Sequence, residues 1–168
     1  MIHGQTVLAV ITARSGSKRC PGKNFCEYRG KTLVQWAIEA AQASKYIDEI
    51  KLSLDEDRPP ELCTDTASCE DVVRYHLAQM PADWVVLLQP TSPQRLAEDI
   101  DGCLEWAAGS EVNNGCISVG MDGKTNGAVY VARAAWILQH DFSHGGLMKY
   151  RMPEERSLDI NYPEDFQK

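Results

Sequence analysis

The chain has 168 residues, 43% of them hydrophobic and 24% charged, with a formal net charge of -7. That length suits one domain able to bury roughly 70% of its unfolded surface, and the acidic balance argues against a nucleic-acid partner, which needs a basic face. No apolar stretch approaches the ~20 residues that cross a bilayer, and no charged n-region precedes an apolar segment at the N-terminus, so a cytoplasmic protein without a membrane partner is expected.

The apolar run Val7-Leu8-Ala9-Val10-Ile11 reads as a strand, and it empties into a basic segment. Between Ala13 and Asn24 the cations Arg14, Lys18, Arg19 and Lys23 alternate with Ser15, Gly16, Ser17 and Gly22. Glycines let backbone N–H groups turn toward one point, and guanidinium and ammonium groups add charge, which is what a polyphosphate requires. A solvated basic turn is the competing reading. Five residues separate Gly16 from Gly22 and Lys23 is followed by Asn24, so this is no Walker A loop, and the chain has no GxGxxG. Local positive charge on an acidic background favours a small anionic ligand over a polymer.

Residues 31–44 have helical spacing, with Leu33, Ala37, Ala40 and Ala41 on one face and Thr32 as N-cap. Residues 49–54 alternate as a strand, and Arg58-Pro59-Pro60 then enforces a loop to about Asp65. A second amphipathic helix is expected over 66–80, a strand buried on both faces over 84–88, and a third helix over 97–108. Short strands at 116–119, 128–131 and 147–152 and a short helix at 134–139 complete the pattern. Six cysteines without a CxxC pair read as reduced thiols, and His3, His76, His140 and His144 show no metal spacing.

Strands alternating with helices predict an α/β fold, a mostly parallel sheet in a Rossmann-like three-layer α/β/α arrangement. Ligands of such folds bind at the carboxyl ends of the strands. The loops 13–24, 53–58, 89–95 and 120–126 would then share one edge, and one site would collect Arg14, Lys23, Ser53, Arg58, Gln89, Thr91, Arg95 and Asp159.

With those loops aligned, the chain resembles the acylneuraminate cytidylyltransferases, the CMP-sialic acid synthetases. The resemblance rests on ITARSGSKRCPGKN at 11–24, RPPELCTDTAS at 58–68, LLQPTSPQR at 87–95, NGAVYV at 126–131 and MPEERSLDINYPEDF at 152–166. It implies transfer of CMP from CTP to a sugar-acid hydroxyl, with Mg²⁺ and release of pyrophosphate. By resemblance, Arg14 and Lys23 hold the triphosphate, Asn24 places the nucleotide, Arg58 and the backbone of Ala67 read the cytosine, and Gln89 contacts the sugar. Ala13, Ser15, Gly16, Ser68, Thr91 and Asn126 fall in the same motifs as further substrate contacts, and Asp159 with Asn161 would hold the metal.

Two departures from the family pattern stand out. Its tail reads Asp-Ile-Asp, whereas Asp159-Ile160-Asn161 has one charge fewer, and Mg²⁺ prefers anionic oxygen. The long excursion that carries sugar contacts and a dimerisation arm is reduced here to a turn's length between Val119 and Asn126. A cytidylyltransferase is therefore one expectation, and a nucleotide-binding protein without transfer activity is the other. The acceptor and the oligomeric state stay open.

Overall fold

In the computed structural model, which describes every residue except Lys18, the strand β1 (Val7–Thr12) is the middle of three adjacent parallel strands. It pairs in parallel with β4 (Glu49–Ser53) on one side and with β5 (Trp84–Leu88) on the other. Its residues alternate between two cores, as a two-residue period requires. Val7, Ala9 and Ile11 pack with α1 (Leu33–Ala43) and α3 (Ala97–Ala108), and Leu8 and Val10 pack with α2 (Cys69–Gln79) and α4 (Ala134–Ile137). The result is the expected three layers, helices on both faces of one six-stranded sheet.

The strand order is β4-β1-β5-β7-β6-β8, with β6 at Gly115–Val119, β7 at Thr125–Arg133 and β8 at Met148–Arg151. Within this sheet β7 runs antiparallel to both β5 and β6, and the ladders β1–β4, β1–β5 and β6–β8 are parallel. The apolar run at 84–88 is thus flanked by one parallel and one antiparallel neighbour, a mixed pairing that burial alone does not encode. A small antiparallel pair of β2 (Glu27–Tyr28) and β3 (Lys31–Thr32), too short for periodicity to reveal, leads into α1.

Helix boundaries follow their caps. Thr32 accepts from the Gln35 amide while the Gln35 side chain accepts from the Thr32 amide, a reciprocal capping box. α2 starts three residues later than spacing predicts, because the Ser68 hydroxyl accepts from the Asp71 amide and residues 64–67 form a turn of their own. All six cysteines are free, and among the described residues no helix is long and apolar enough to cross a membrane.

One buried charge ties the tail to the helical layer. Asp99 is fully buried at the start of α3, accepts from the Leu96 amide at 2.9 Å, and takes Nε and Nη2 of Arg156 at 3.0 and 2.9 Å. Removing one partner of such a pair leaves an uncompensated buried charge. Asp99→Asn should therefore lower the unfolding free energy by about 3 kcal/mol, measured by urea denaturation.

Candidate active site

Three strands of the same direction, β4, β1 and β5, end side by side, and their exits form a cavity of about 300 Å³. Its floor is Thr12 at the end of β1. One wall is the basic segment, with Arg14, Gly16, Ser17, Lys23 and Asn24. Facing it are Arg58, Leu62, Thr64 and the start of α2 at Ala67, Ser68 and Cys69. Gln89 and Thr91 close the β5 side, and Asp159 and Asn161 reach in from the tail. The solvated-turn reading of residues 13–24 therefore gives way to a lined cavity, although Lys18 lies outside the described residues.

Local geometry explains how cations are held here. Gly22 adopts φ +67, a left-handed conformation that side chains resist, and it starts the short 3-10 turn Lys23–Phe25. Asn24 is buried and donates its amide to the Arg14 carbonyl at 3.0 Å, fixing the loop from inside. Arg14 pairs with Asp65 at 2.6 Å, and Ser15 is clasped through both its amide and its hydroxyl by Asp55. Burial draws the Lys23 ammonium below its ordinary pKa, while Asp159 pulls it back up. Its Nζ reaches the Ile160 carbonyl at 3.5 Å.

The tail approaches as an extended segment. Ile160 is fully buried and its amide donates to Thr91 O at 2.8 Å, so Asp159 and Asn161 on either side face the cavity. The Asn161 amide nitrogen donates to Asp159 Oδ2 at 3.1 Å. One carboxylate and one amide are hard oxygen donors suited to a Mg²⁺-like ion, which takes few protein ligands and completes its shell with phosphate and water. Among the described residues no group of three or more His, Cys, Asp or Glu that could hold a metal ion converges.

Other anticipated residues lie elsewhere. Arg95 is buried, donates to the carbonyls of Gln89 and Ala128 at 3.0 and 2.7 Å, and has its pKa drawn down to about 10 by burial. It braces β5 against β7 and does not line the cavity. Ser53 and Ala13 are buried behind the wall, and Ser15 faces Asp55. Asn126 accepts from Ser118 Oγ and the Ala128 amide and donates to Ser157 Oγ. With Thr125 and Glu154 it lines a separate cavity beneath the tight β6–β7 turn. The 120–126 loop is excluded from the first cavity because β7 begins directly after that turn and folds back on β6.

Sequence reasoning passed over Thr12, Leu62, Thr64 and Cys69 as lining residues and Asp55 and Asp65 as anchors of the basic segment. The pairing of acidic residues at 55–57 with a basic run was the one available signal. Gly127 is also placed by the site: at φ +78, an added Cβ would sit 3.2 Å from Gln89 Oε1.

A strand-end cavity walled by cations in a mostly parallel α/β sheet defines a Rossmann-like nucleotidyltransferase fold. The fold is similar to that of a CMP:2-keto-3-deoxy-manno-octonic acid synthetase solved with CTP, with a TM-score of 0.76 at 13% identity over 96% of this chain and 95% of that one. It is similar also to Rv0371c of Mycobacterium tuberculosis solved with manganese, with a TM-score of 0.67 at 16% identity over 96% of each chain. Residues 8–64 match the family model described as cytidylyltransferase. The chain is 38% identical over 120 residues to the CMP-N,N'-diacetyllegionaminic acid synthase of Legionella pneumophila, covering 59% of this chain and 52% of that protein. It is 27% identical to an N-acylneuraminate cytidylyltransferase of Streptococcus agalactiae, covering 95% of this chain and 51% of that protein. The chain is thus similar to cytidylyltransferases in sequence over residues 8–64 and in fold over nearly its whole length. It spans about half the length of these curated relatives.

The contrast between bracing and lining arginines is testable. Arg95→Met takes the arginine donor from the Ala128 carbonyl and leaves the Gln89 carbonyl only the 3.4 Å bond from the Ser92 amide, so urea denaturation should show a loss of about 1–3 kcal/mol. Arg14→Met, half-exposed and paired on the surface, should cost less than about 1 kcal/mol.

Proposed function

We propose that residues 1–168 act as one nucleotidyltransferase-like domain that transfers CMP from CTP to a hydroxyl of a sugar acid and releases pyrophosphate. The observation that carries this reading is the convergence of Arg14 and Lys23 from the basic segment with Asp159 from the tail in one cavity whose far wall holds Arg58. Cations and a carboxylate drawn from opposite ends of the chain suit a metal-bound triphosphate better than a bare anion.

In the reaction the acceptor hydroxyl gives up its proton to solvent as its oxygen bonds to the α-phosphorus, the bond to the bridging oxygen breaks, and the electron pair leaves with pyrophosphate. Negative charge grows on the non-bridging and leaving oxygens. Arg14 and Lys23 offer fixed positive charge where that occurs, and because Lys23 is partly buried its charge is less screened than a surface lysine's. Asp159 and Asn161 would hold a divalent ion, which when bound supplies Lewis-acid stabilisation of the phosphate oxygens. Arg58 donates to Leu54, Leu62 and Ser53 carbonyls and so presents a rigid guanidinium edge to the cavity. A cytosine offers acceptors at O2 and N3 where uracil has a donor at N3, so such an edge favours CTP over UTP. Gln89, near Gly127, would face the acceptor. We place the reaction in the cytoplasm.

The names of the relatives support the nucleotide and the class of acceptor, and the manganese-bound neighbour supports a divalent ion. A second reading, CTP binding without transfer, is favoured by Asn161 in place of a carboxylate and by the tight Gly120–Lys124 turn. Pyrophosphate release with CTP, Mg²⁺ and a panel of 2-keto sugar acids decides between them, and we expect release that depends on one acceptor. CTP affinity without release across the panel would leave the binding protein. In the same assay Lys23→Ala should weaken CTP binding by about 1.5–3 kcal/mol, the scale of a hydrogen bond to a charged group, with stability little changed. Unaltered affinity would contradict the cradle.

A further inference from the structure

Behind the wall that carries Arg58 lies a histidine that the proposed reaction does not touch. His76, in α2, is 1% exposed, and its Nε2 lies 2.8 Å from Ser53 Oγ. Its Nδ1 is buried without a protein partner. Ser53 is itself fully buried at the end of β4. The Ser53 carbonyl accepts from the Ala13 amide at 3.0 Å, where the basic segment begins, and from Arg58 Nη2 at 3.2 Å. One peptide group thus anchors both walls of the cavity, and His76 holds the side chain of the residue that bears it.

We infer that His76 is a positioning residue: as a neutral imidazole it fixes Ser53, and through Ser53 it sets the guanidinium of Arg58 and the start of the basic segment for nucleotide recognition. The inference rests on the reading that Arg58 faces the pyrimidine. A buried N–H without an acceptor costs more than a bare lone pair, so the favoured tautomer has its proton on Nε2 and donates it to Ser53 Oγ. Protonation would put a second donor at Nδ1, which has no hydrogen-bond partner among the described residues, and would add a cation next to Lys51 of β4 and Arg58, offset by Asp57. Tyr75 packs edge-on against the ring at 5.2 Å. Burial, seconded by Lys51, lowers the His76 pKa below its ordinary 6.5. A depressed folded value means that the neutral ring's contribution is complete above the unfolded-state pKa and is lost as pH falls through the folded one.

The test uses the full chain and four variants, H76F, H76Q, S53A and S53A/H76F, with two readouts. Hydrogen exchange of the Ala13 amide reports positioning without any ligand. Calorimetry with CTP, UTP and tripolyphosphate separates base recognition from phosphate binding. H76F and S53A should each speed exchange at Ala13 and reduce the CTP-over-UTP preference about tenfold, one hydrogen bond's worth of placement, while tripolyphosphate affinity changes less than about twofold. The double variant should be no worse than either single one, and H76Q should restore most of the preference and remove its decline at acid pH. CTP's own titration is common to all variants, so the difference between them is the signal. Ala13 exchange unchanged in folded H76F and S53A would overturn the positioning role. Faster exchange with CTP and UTP equally affected would support the positioning role and overturn the reading of Arg58.

Discussion

Like charges gathered in a half-buried place repel one another and lose hydration, and the cavity is built around meeting that constraint. Burial draws the Lys23 ammonium below its ordinary pKa, and the nearby charges of Arg19 and Arg14 lower it further. The protein compensates in three ways: Asp65 pairs with Arg14, Asp159 stands beside Lys23, and carbonyls at Arg14 and Ile160 accept from Asn24 and Lys23. These compensations come from the β4–α2 connection and from the tail, so the strand order that brings those segments to the end of β1 is a condition for the charge cluster. An anionic ligand relieves the same repulsion, which links the electrostatics to the proposed nucleotide.

The scaffold meets this demand with rigid parts. β1 is buried on both faces, its neighbours β4 and β5 share its direction, and their three exits stay within one cavity's reach. Behind them, interior polar groups carry the precision: Ser53 ties two walls, Arg95 ties β5 to β7, and Asp99 fixes Arg156 and with it the segment that delivers Asp159. Much of the polar sequence near the site thus acts on the protein and not on a ligand.

That division explains what could be read from the chain. The apolar runs at 7–11 and 84–88, the cap at Thr32 and the basic segment have local causes, and periodicity and composition reveal local causes. The convergence of residues 13–24, 58–68 and 159–161 was legible through the rule that α/β ligands sit at strand ends. The reversed direction of β7 was not, because it is decided by the Gly120–Lys124 turn and by pairing with β5 and β6 together. Nor could Arg95 and Asn126, which lie outside the cavity, be separated by residue type from Arg14 and Asn24, which line it, since buried braces and cavity walls use the same donors. His76 looks unremarkable in sequence for the same reason: its partner, Ser53, is brought to it only by the β4–α2 packing.

The central claim is that the strand-end cavity binds CTP. Backbone chemical-shift mapping of the isotopically labelled protein during titration with CTP and Mg²⁺ tests it most directly. The account predicts saturable shifts at Gly16, Lys23, Asn24, Ala67, Ser68 and Asn161, with the second cavity around Asp122 and Thr125 silent. Shifts confined to that second cavity, or none at all, would contradict it.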